Sequence, residues 1–382
     1  MRVAFVHYWL VTMRGGEKVL EALLDLFPQA DIYTHVYNPA AVSAKIRART
    51  VRTTFIQKLP FAARAYQKYL PLMPRALEAL DLRGYDLVIS SESGPAKGVL
   101  TGANTMHICY CHSPMRYLWD MYQDYLDGAG ALTRFGFRLF AHHLRLWDAL
   151  SARRVDFFAA NSHNVARRIA KHYGRSSEII PPPVDTAFFS PGPGGYPPDG
   201  GYYLCAGQLL GYKRVDIAIQ ACERLGKKLV IIGEGPERGK LQRQAGPNVA
   251  FLGKRNGEEL RKYMSECRAL LFPGEEDFGI VPLEAMACGR PVIAFGKGGA
   301  LETVAPGKTG ILHEEQTVTS LCAAIERFEA NPGAFVPGDA REHALAFSHE
   351  TFLKRFRDFY DSCRLAWESG SHVSSHHPQP LV

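Results

Sequence analysis

The stretch Ala269-Leu-Leu-Phe-Pro-Gly-Glu-Glu-Asp-Phe-Gly-Ile-Val-Pro-Leu-Glu-Ala-Met-Ala-Cys-Gly-Arg-Pro-Val-Ile-Ala-Phe295 reads as strand, loop, helix and strand within 27 residues. Ala269–Phe272 and Pro291–Phe295 are short apolar runs of strand type. Between them, Glu284-Ala-Met-Ala is strong helix-forming sequence, with Pro282 suited to the first turn and Gly289 and Pro291 ending it. Two strands joined through a helix form the unit of a parallel sheet. The same stretch sets Glu276 on the entry loop, beside a permissive Gly279, and Glu284 on the first helical turns. A helix N-terminus offers unpaired N–H groups and partial positive charge, which favours a phosphate-bearing ligand nearby. The spacing serves a helix-capping pair equally well, so at this point both readings stand.

Outward from this stretch the alternation recurs along the chain. Strands are expected at Arg2–Val6, Asp86–Ser90, Met106–Tyr110, Phe157–Ala160 and Glu178–Ile180. A second series follows at Tyr202–Ala206, Lys228–Ile232, Val249–Leu252, Ala269–Phe272, Pro291–Phe295 and Gly310–Leu312. The fold class is α/β, with two doubly wound parallel sheets whose ligands bind beyond the carboxyl ends of the strands. At 382 residues the chain exceeds what one core usually serves, in keeping with two domains. Domain 1 is assigned residues 1–185, and a Pro/Gly-rich linker residues 186–200. Domain 2 covers 201–347, a helix with an aromatic stripe 348–367, and a polar His/Ser/Pro-rich tail, expected to be disordered, 368–382.

Hydrophobic and charged fractions of 46% and 22% are those of a globular protein. The sequence contains no apolar run of about 18 residues, and its start reads as a buried strand rather than a signal peptide, so the protein is expected in the cytoplasm. Eight cysteines are scattered, and only Cys109 and Cys111 are close, expected on opposite faces of a strand; neither a zinc site nor a disulfide framework is indicated. Charge is uneven: residues 45–154 hold 16 Lys+Arg against 8 Asp+Glu, leaving a net −1 elsewhere. Within that window Phe55–Leu70 and Ala131–Trp147 interleave cations with aromatic and aliphatic residues. Such segments suit an anionic membrane surface, and equally suit ordinary amphipathic helices with a solvated basic face.

Several strand ends carry polar or glycine-rich loops. Gly15-Gly16 precedes a helix opening at Glu17, where backbone N–H groups can face an anion, although a plain strand-to-helix turn accounts for it too. Lys213 and Arg214 stand at a helix start, where the dipole repels cations, and an anionic ligand would resolve that conflict. Gly298-Gly-Ala-Leu-Glu302 is a second cradle, expected to face the Glu276 loop. In the first half, Cys109-Tyr-Cys-His112-Ser-Pro-Met-Arg-Tyr-Leu-Trp119-Asp120 brings a histidine, an arginine and aromatics to a strand end, groups that suit a sugar. The cations are not clustered with a recognisable reading element, so no nucleic-acid partner is expected.

Taken together, Glu276-x7-Glu284 followed by Ala-Met-Ala-Cys-Gly, the Gly15-Gly16 loop, Lys213 and the Gly298-Gly-x-x-Glu302 turn resemble the retaining glycosyltransferases of family 4. The resemblance runs nearly the whole chain, to about Trp367. It implies the GT-B architecture, two facing Rossmann-like domains with a C-terminal helix returning to the N-terminal one. The His112 run is similar to the subgroup that builds bacterial O-antigen and exopolysaccharide chains, often mannosyltransferases.

By that resemblance the first domain binds the acceptor and the second the nucleotide sugar. Glu276 contacts the donor sugar, Glu284 the ribose hydroxyls and Lys213 the diphosphate, while Gly16 approaches the phosphates and His112 the sugar. Catalytic roles thus fall to Glu276, His112 and Lys213, and donor binding to Gly15, Gly16, Lys213, Arg214, Glu276, Phe278, Gly279 and Glu284. Two departures stand out. Gln208 occupies the position where the family usually has arginine, for which Arg214 is the substitute, and Pro182-Pro-Val-Asp185 replaces Asn-Gly-Val-Asp.

The implied reaction moves a hexose, mannose from GDP-mannose as the first candidate, to a polyprenyl-diphosphate-linked or other lipid-linked glycan in lipopolysaccharide or exopolysaccharide biosynthesis. No cofactor is expected beyond the donor and no metal, since no Asp-x-Asp stands near the expected cleft. The expected location is peripheral on the inner face of the cytoplasmic membrane, against anionic lipid. Alternatives are a nucleotide-sugar 2-epimerase on the same fold and a non-catalytic glycan-assembly subunit.

Overall fold

A computed structural model describes residues 1–128, 130–192 and 201–370. The linker from residue 193 to 200 and the tail from 371 onward lie outside the described residues. The chain divides into two compact units, Met1–Pro181 together with the segment from Phe352, and Pro182–Thr351.

The first unit is a seven-stranded parallel sheet of β1 (Val3–His7), β2 (Asp31–Thr34), β3 (Val51–Thr53), β4 (Leu87–Glu92), β5 (Met106–Cys111), β6 (Phe157–Ala160) and β7 (Glu178–Ile179). Their order is β3-β2-β1-β4-β5-β6-β7. Every residue of β1, β4 and β5 is buried, as befits central strands covered on both faces. Phe5 pairs with Ile89, and Ile89 with Ile108; these side chains form one core with Leu20, Leu23 and Leu24 of the helix Gly15–Leu26. The C-terminal helix His349–Glu368 contributes its aromatic stripe to that core. The Phe352 ring stands 5.9 Å from Tyr110, and Tyr360 stands 5.4 Å from Phe27. The expected return of this helix to the N-terminal sheet is thus observed.

The second unit is a six-stranded parallel sheet, β8 (Tyr203–Ala206), β9 (Leu229–Ile232), β10 (Val249–Gly253), β11 (Ala269–Phe272), β12 (Val292–Phe295) and β13 (Gly310–His313). Their order is β10-β9-β8-β11-β12-β13. Strand order reverses direction between β1 and β4 in one sheet and between β8 and β11 in the other. Ligand crevices in such sheets open beyond the carboxyl ends at those points.

The sequence reading misses β2 and β3. Asp31-Ile-Tyr-Thr34 and Val51-Arg-Thr53 are too short and polar to announce strands; they become strands because Ile32 pairs beside Phe5 and Val51 beside Ile32. Cys109 and Cys111 do not face opposite ways. Residues two apart on a strand share a face, and both pack with Val155 and Phe158. All eight cysteines are buried and unbridged.

Candidate active site

In the second unit the loops after β8 and β11 meet at the switch point. The β8 loop ends in the short turn Gly211–Lys213 and turns through Arg214, at φ +50°, into the helix Val215–Arg224. The β11 loop runs from Pro273 to Gly279, at φ +91°, where the helix Ile280–Ala287 begins. A Cβ on Gly274 would stand 2.6 Å from Lys213 Cα, so only glycine lets the two backbones touch. A narrow cavity there is lined by Gly207, Gln208, Lys213, Pro273, Gly274 and Glu276. Inside it Lys213 Nζ lies 2.7 Å from Glu276 Oε1, both side chains being a fifth exposed or less at 16% and 20%. An ammonium and a carboxylate, mostly withdrawn from water, are therefore presented together at the mouth of the sheet.

The turn after β12 holds this loop in place. Gly299 N–H donates to Glu276 C=O at 2.8 Å, and Glu276 and Gly298 form a parallel bridge, so the expected cradle does meet the Glu276 loop. Neither glutamate caps the helix. Gly279 is its N-cap, with no side-chain cap, which removes the capping reading left open above. The other named residues are placed differently. Glu284 is buried on the fifth residue of that helix and is not among the cavity-lining residues. Phe278 is core, packed 5.8 Å from Phe347, so only its backbone is available to a ligand. The Arg214 guanidinium is held by Asp216, its Nε 3.1 Å and Nη2 3.0 Å from that carboxylate, rather than placed in the cavity as a substitute for an arginine at 208.

In the first unit the loops after β1, β4 and β5 converge. A Cβ on Gly16 would stand 2.2 Å from the Tyr8 hydroxyl and 3.5 Å from His112 Nε2, so this glycine marks a close approach. His112 Nε2 shares a hydrogen bond with Ser91 Oγ at 2.9 Å, and the ring packs edge-on to Tyr110 at 5.0 Å. Burial, with His7 adjacent, holds the His112 pKa down at about 3, so the imidazole is neutral near pH 7 and acts as a hydrogen-bonding group.

The His112 loop is anchored from below. His112 N–H donates to Glu92 C=O at 2.7 Å, and Asn161 Nδ2 donates to His112 C=O at 2.9 Å. The Glu92 carboxylate accepts from the Ala96 and Lys97 N–H groups at 2.7 and 2.8 Å. Lys97, fully buried, bridges Glu92 at 3.3 Å to Asp148, which also accepts from Trp119 Nε1 at 2.7 Å and Tyr173 OH at 3.0 Å. Burial alone would lower the Lys97 pKa; Asp148 and Glu92 outweigh it and hold the amine charged. One face of Trp119 is stacked on His172 at 4.6 Å. Asp120 is engaged by Arg168 and His172, each at 3.3 Å. Sequence reasoning missed Tyr8, Ser91 and this ionic knot; the one signal for them is that Tyr8 and Ser93–Lys97 follow strand ends.

Two family models match the chain in tandem. Glycosyltransferase Family 4 matches residues 13–188 and Glycosyl transferases group 1 matches residues 191–344. Among curated relatives, a D-inositol 3-phosphate glycosyltransferase of Geodermatophilus obscurus is 32% identical over 226 residues, 51% of this chain and 50% of the relative. A GDP-mannose-dependent alpha-(1-6)-phosphatidylinositol monomannoside mannosyltransferase of Mycolicibacterium smegmatis is 33% identical over 193 residues, 43% of this chain and 50% of the relative. The chain thus spans about half the length of the curated relatives it matches. Among solved structures, Anabaena HepE in complex with UDP superposes with a TM-score of 0.69 at 18% identity, covering 95% of this chain and all of that one. Sucrose-phosphate synthase of Thermosynechococcus elongatus does so with a TM-score of 0.72 at 20% identity, over 96% of this chain and all of that one. With both sheets parallel, each switched at its centre, and a family model on either unit, the chain belongs to the family 4 glycosyltransferases of GT-B architecture.

Proposed function

We propose that the protein is a retaining glycosyltransferase that moves a hexose, mannose from GDP-mannose as the first candidate and a UDP-hexose as the second, to a lipid-linked glycan acceptor in bacterial polysaccharide assembly. The observation that carries this reading is the Lys213–Glu276 pair in the crevice of the second unit, beside two helix starts without a side-chain cap. A diphosphate entering the crevice competes with Glu276 for Lys213. The freed carboxylate then orients the hydroxyls of the sugar, and Lys213 with the loop N–H groups stabilises the charge that grows on the departing phosphate, without a metal ion. In the transfer the bond from the anomeric carbon to the phosphate oxygen breaks. The bond to the acceptor oxygen forms on the same face, and the acceptor proton passes to the leaving phosphate, with no covalent enzyme intermediate.

The acceptor falls to the first unit, where neutral His112, Ser91 and Tyr8 offer hydrogen bonds to a sugar. A phosphorylated acceptor is supported by the basic excess of residues 45–154 and by the phosphorylated inositol named for the relatives above. Among the described residues no helix is long and apolar enough to cross a membrane. Melting the protein with GDP, UDP, GDP-mannose and UDP-glucose tests the donor class. A preferred nucleotide at a hundredfold its Kd should contribute about 2.7 kcal/mol of stability, and no shift with any of them would overturn the reading.

A further inference from the structure

The helix Ala131–Ser151 is apolar on two opposite faces. Its inner face, Ala141, Leu144, Asp148 and Ser151, is buried, and Ala141 and Leu144 pack on Met115 and Leu118. Leu132, Phe135, Leu139, Leu146 and Leu150 are exposed, from 86% at Leu132 to 50% at Leu146. At about 100° per residue these five fall in one stripe, about 165° from the centre of the buried face and about 27 Å long. A stripe of this size in water calls for a partner, since single exposed apolar residues are ordinary and a contiguous row of them is not.

The charges say which partner. Arg138 and His142 are exposed on the flank of the stripe, and the helix carries a single acidic residue, Asp148, which is buried on the opposite face. The acidic residues preceding it, Asp124 and Asp127, lie before its first turn. An apolar stripe flanked by the Arg138 cation and free of acidic side chains matches the acyl boundary and anionic headgroups of a bilayer, into which such a helix settles lengthwise. We propose that the outer face of the helix Ala131–Ser151 docks the protein on anionic lipid, with Leu132, Phe135, Leu139, Leu146 and Leu150 inserted and Arg138 among the headgroups. The inference rests on the membrane-bound acceptor proposed above and names the element that reaches it. Asp148, on the inner face of the same helix, holds Trp119 and Lys97 beneath the His112 loop. The docking element is therefore also an anchor of the His112 loop.

The test is co-flotation with vesicles of phosphatidylcholine alone and of phosphatidylcholine with phosphatidylglycerol, for the full chain and for L132S/F135S/L139S and L146S/L150S. The full chain should float with anionic vesicles, R138E should bind more weakly, and the triple variant should lose about 100-fold in partitioning. Both serine variants should keep the thermal shift with nucleotide, which shows that they fold and separates this inference from the donor reading. A full chain that floats with neither vesicle, or variants that float like it, would overturn the proposal. So would a dimer of the full chain in sedimentation that the triple variant abolishes without any vesicle binding, since the face would then belong to a second copy.

Discussion

At the scale of single residues, the Lys213–Glu276 pair is the feature with the most chemical content. Two groups of opposite charge, 2.7 Å apart and mostly screened from water, neutralise each other until a stronger anion arrives. Lys213→Ala should lower turnover by about 10²–10³-fold, as loss of one charge-stabilising donor does elsewhere; turnover near that of the unmodified protein would end its assignment. Glu276→Gln separates the partners' roles. It frees Lys213, so the diphosphate nucleotide should bind as tightly or more tightly by calorimetry, while turnover drops because the sugar loses its orienting carboxylate. Weaker nucleotide binding in this variant would mean that the pair itself is the nucleotide-binding form. Glu276 and Lys213 could be named from the sequence because a loop glycine, a helix start and a charge out of keeping with the dipole are all local signals. Ser91 and Tyr8 could not, since nothing near them in the chain says that His112 will lie against them.

At the scale of elements, the knot of Glu92, Lys97 and Asp148 joins the end of β4 to the last turn of the helix Ala131–Ser151, 51 residues beyond Lys97. All three side chains are wholly buried, and a buried charge left alone costs far more than the pair contributes. Lys97→Met should therefore destabilise the first unit by about 3–5 kcal/mol, and adding Glu92→Gln should recover part of it. Thermal melting decides this, and a single variant that melts with the unmodified chain would show that the knot carries no stability. The strands divide in the same way. Central strands such as β4 and β5 are legible as apolar runs because both faces are covered. Short β2 and β3 are made strands by their neighbours, and no local pattern records a neighbour.

At the scale of the molecule, the histidines buried in the first unit set its acid limit. Burial lowers His35 and His107 to about 4, and His112 to about 3, from an ordinary 6.5. The unfolded chain takes up protons near pH 6.5 and the folded unit does not, so their neutral burial contributes stability above that pH and loses it as pH falls toward 4. Each can account for up to about 3 kcal/mol, while Glu92, raised by burial, acts in the opposite sense as pH rises. Calorimetry at pH 7 and pH 5 should show the transition of the first unit moving down, and a transition that stays in place would refute it. By itself the sequence determined that the chain is α/β, that it forms two parallel sheets with their loops at strand ends, and which loop carries the carboxylate and the lysine, because hydrophobic periodicity, glycine and helix signals act over a few residues. Only the tertiary structure decided that Lys213 meets Glu276, that Arg214 is held by Asp216, that Trp119 is stacked on His172 and that the helix Ala131–Ser151 leaves a second apolar face in water. Those facts depend on pairings between distant segments, whose energies come from burial and electrostatics that no local stretch contains.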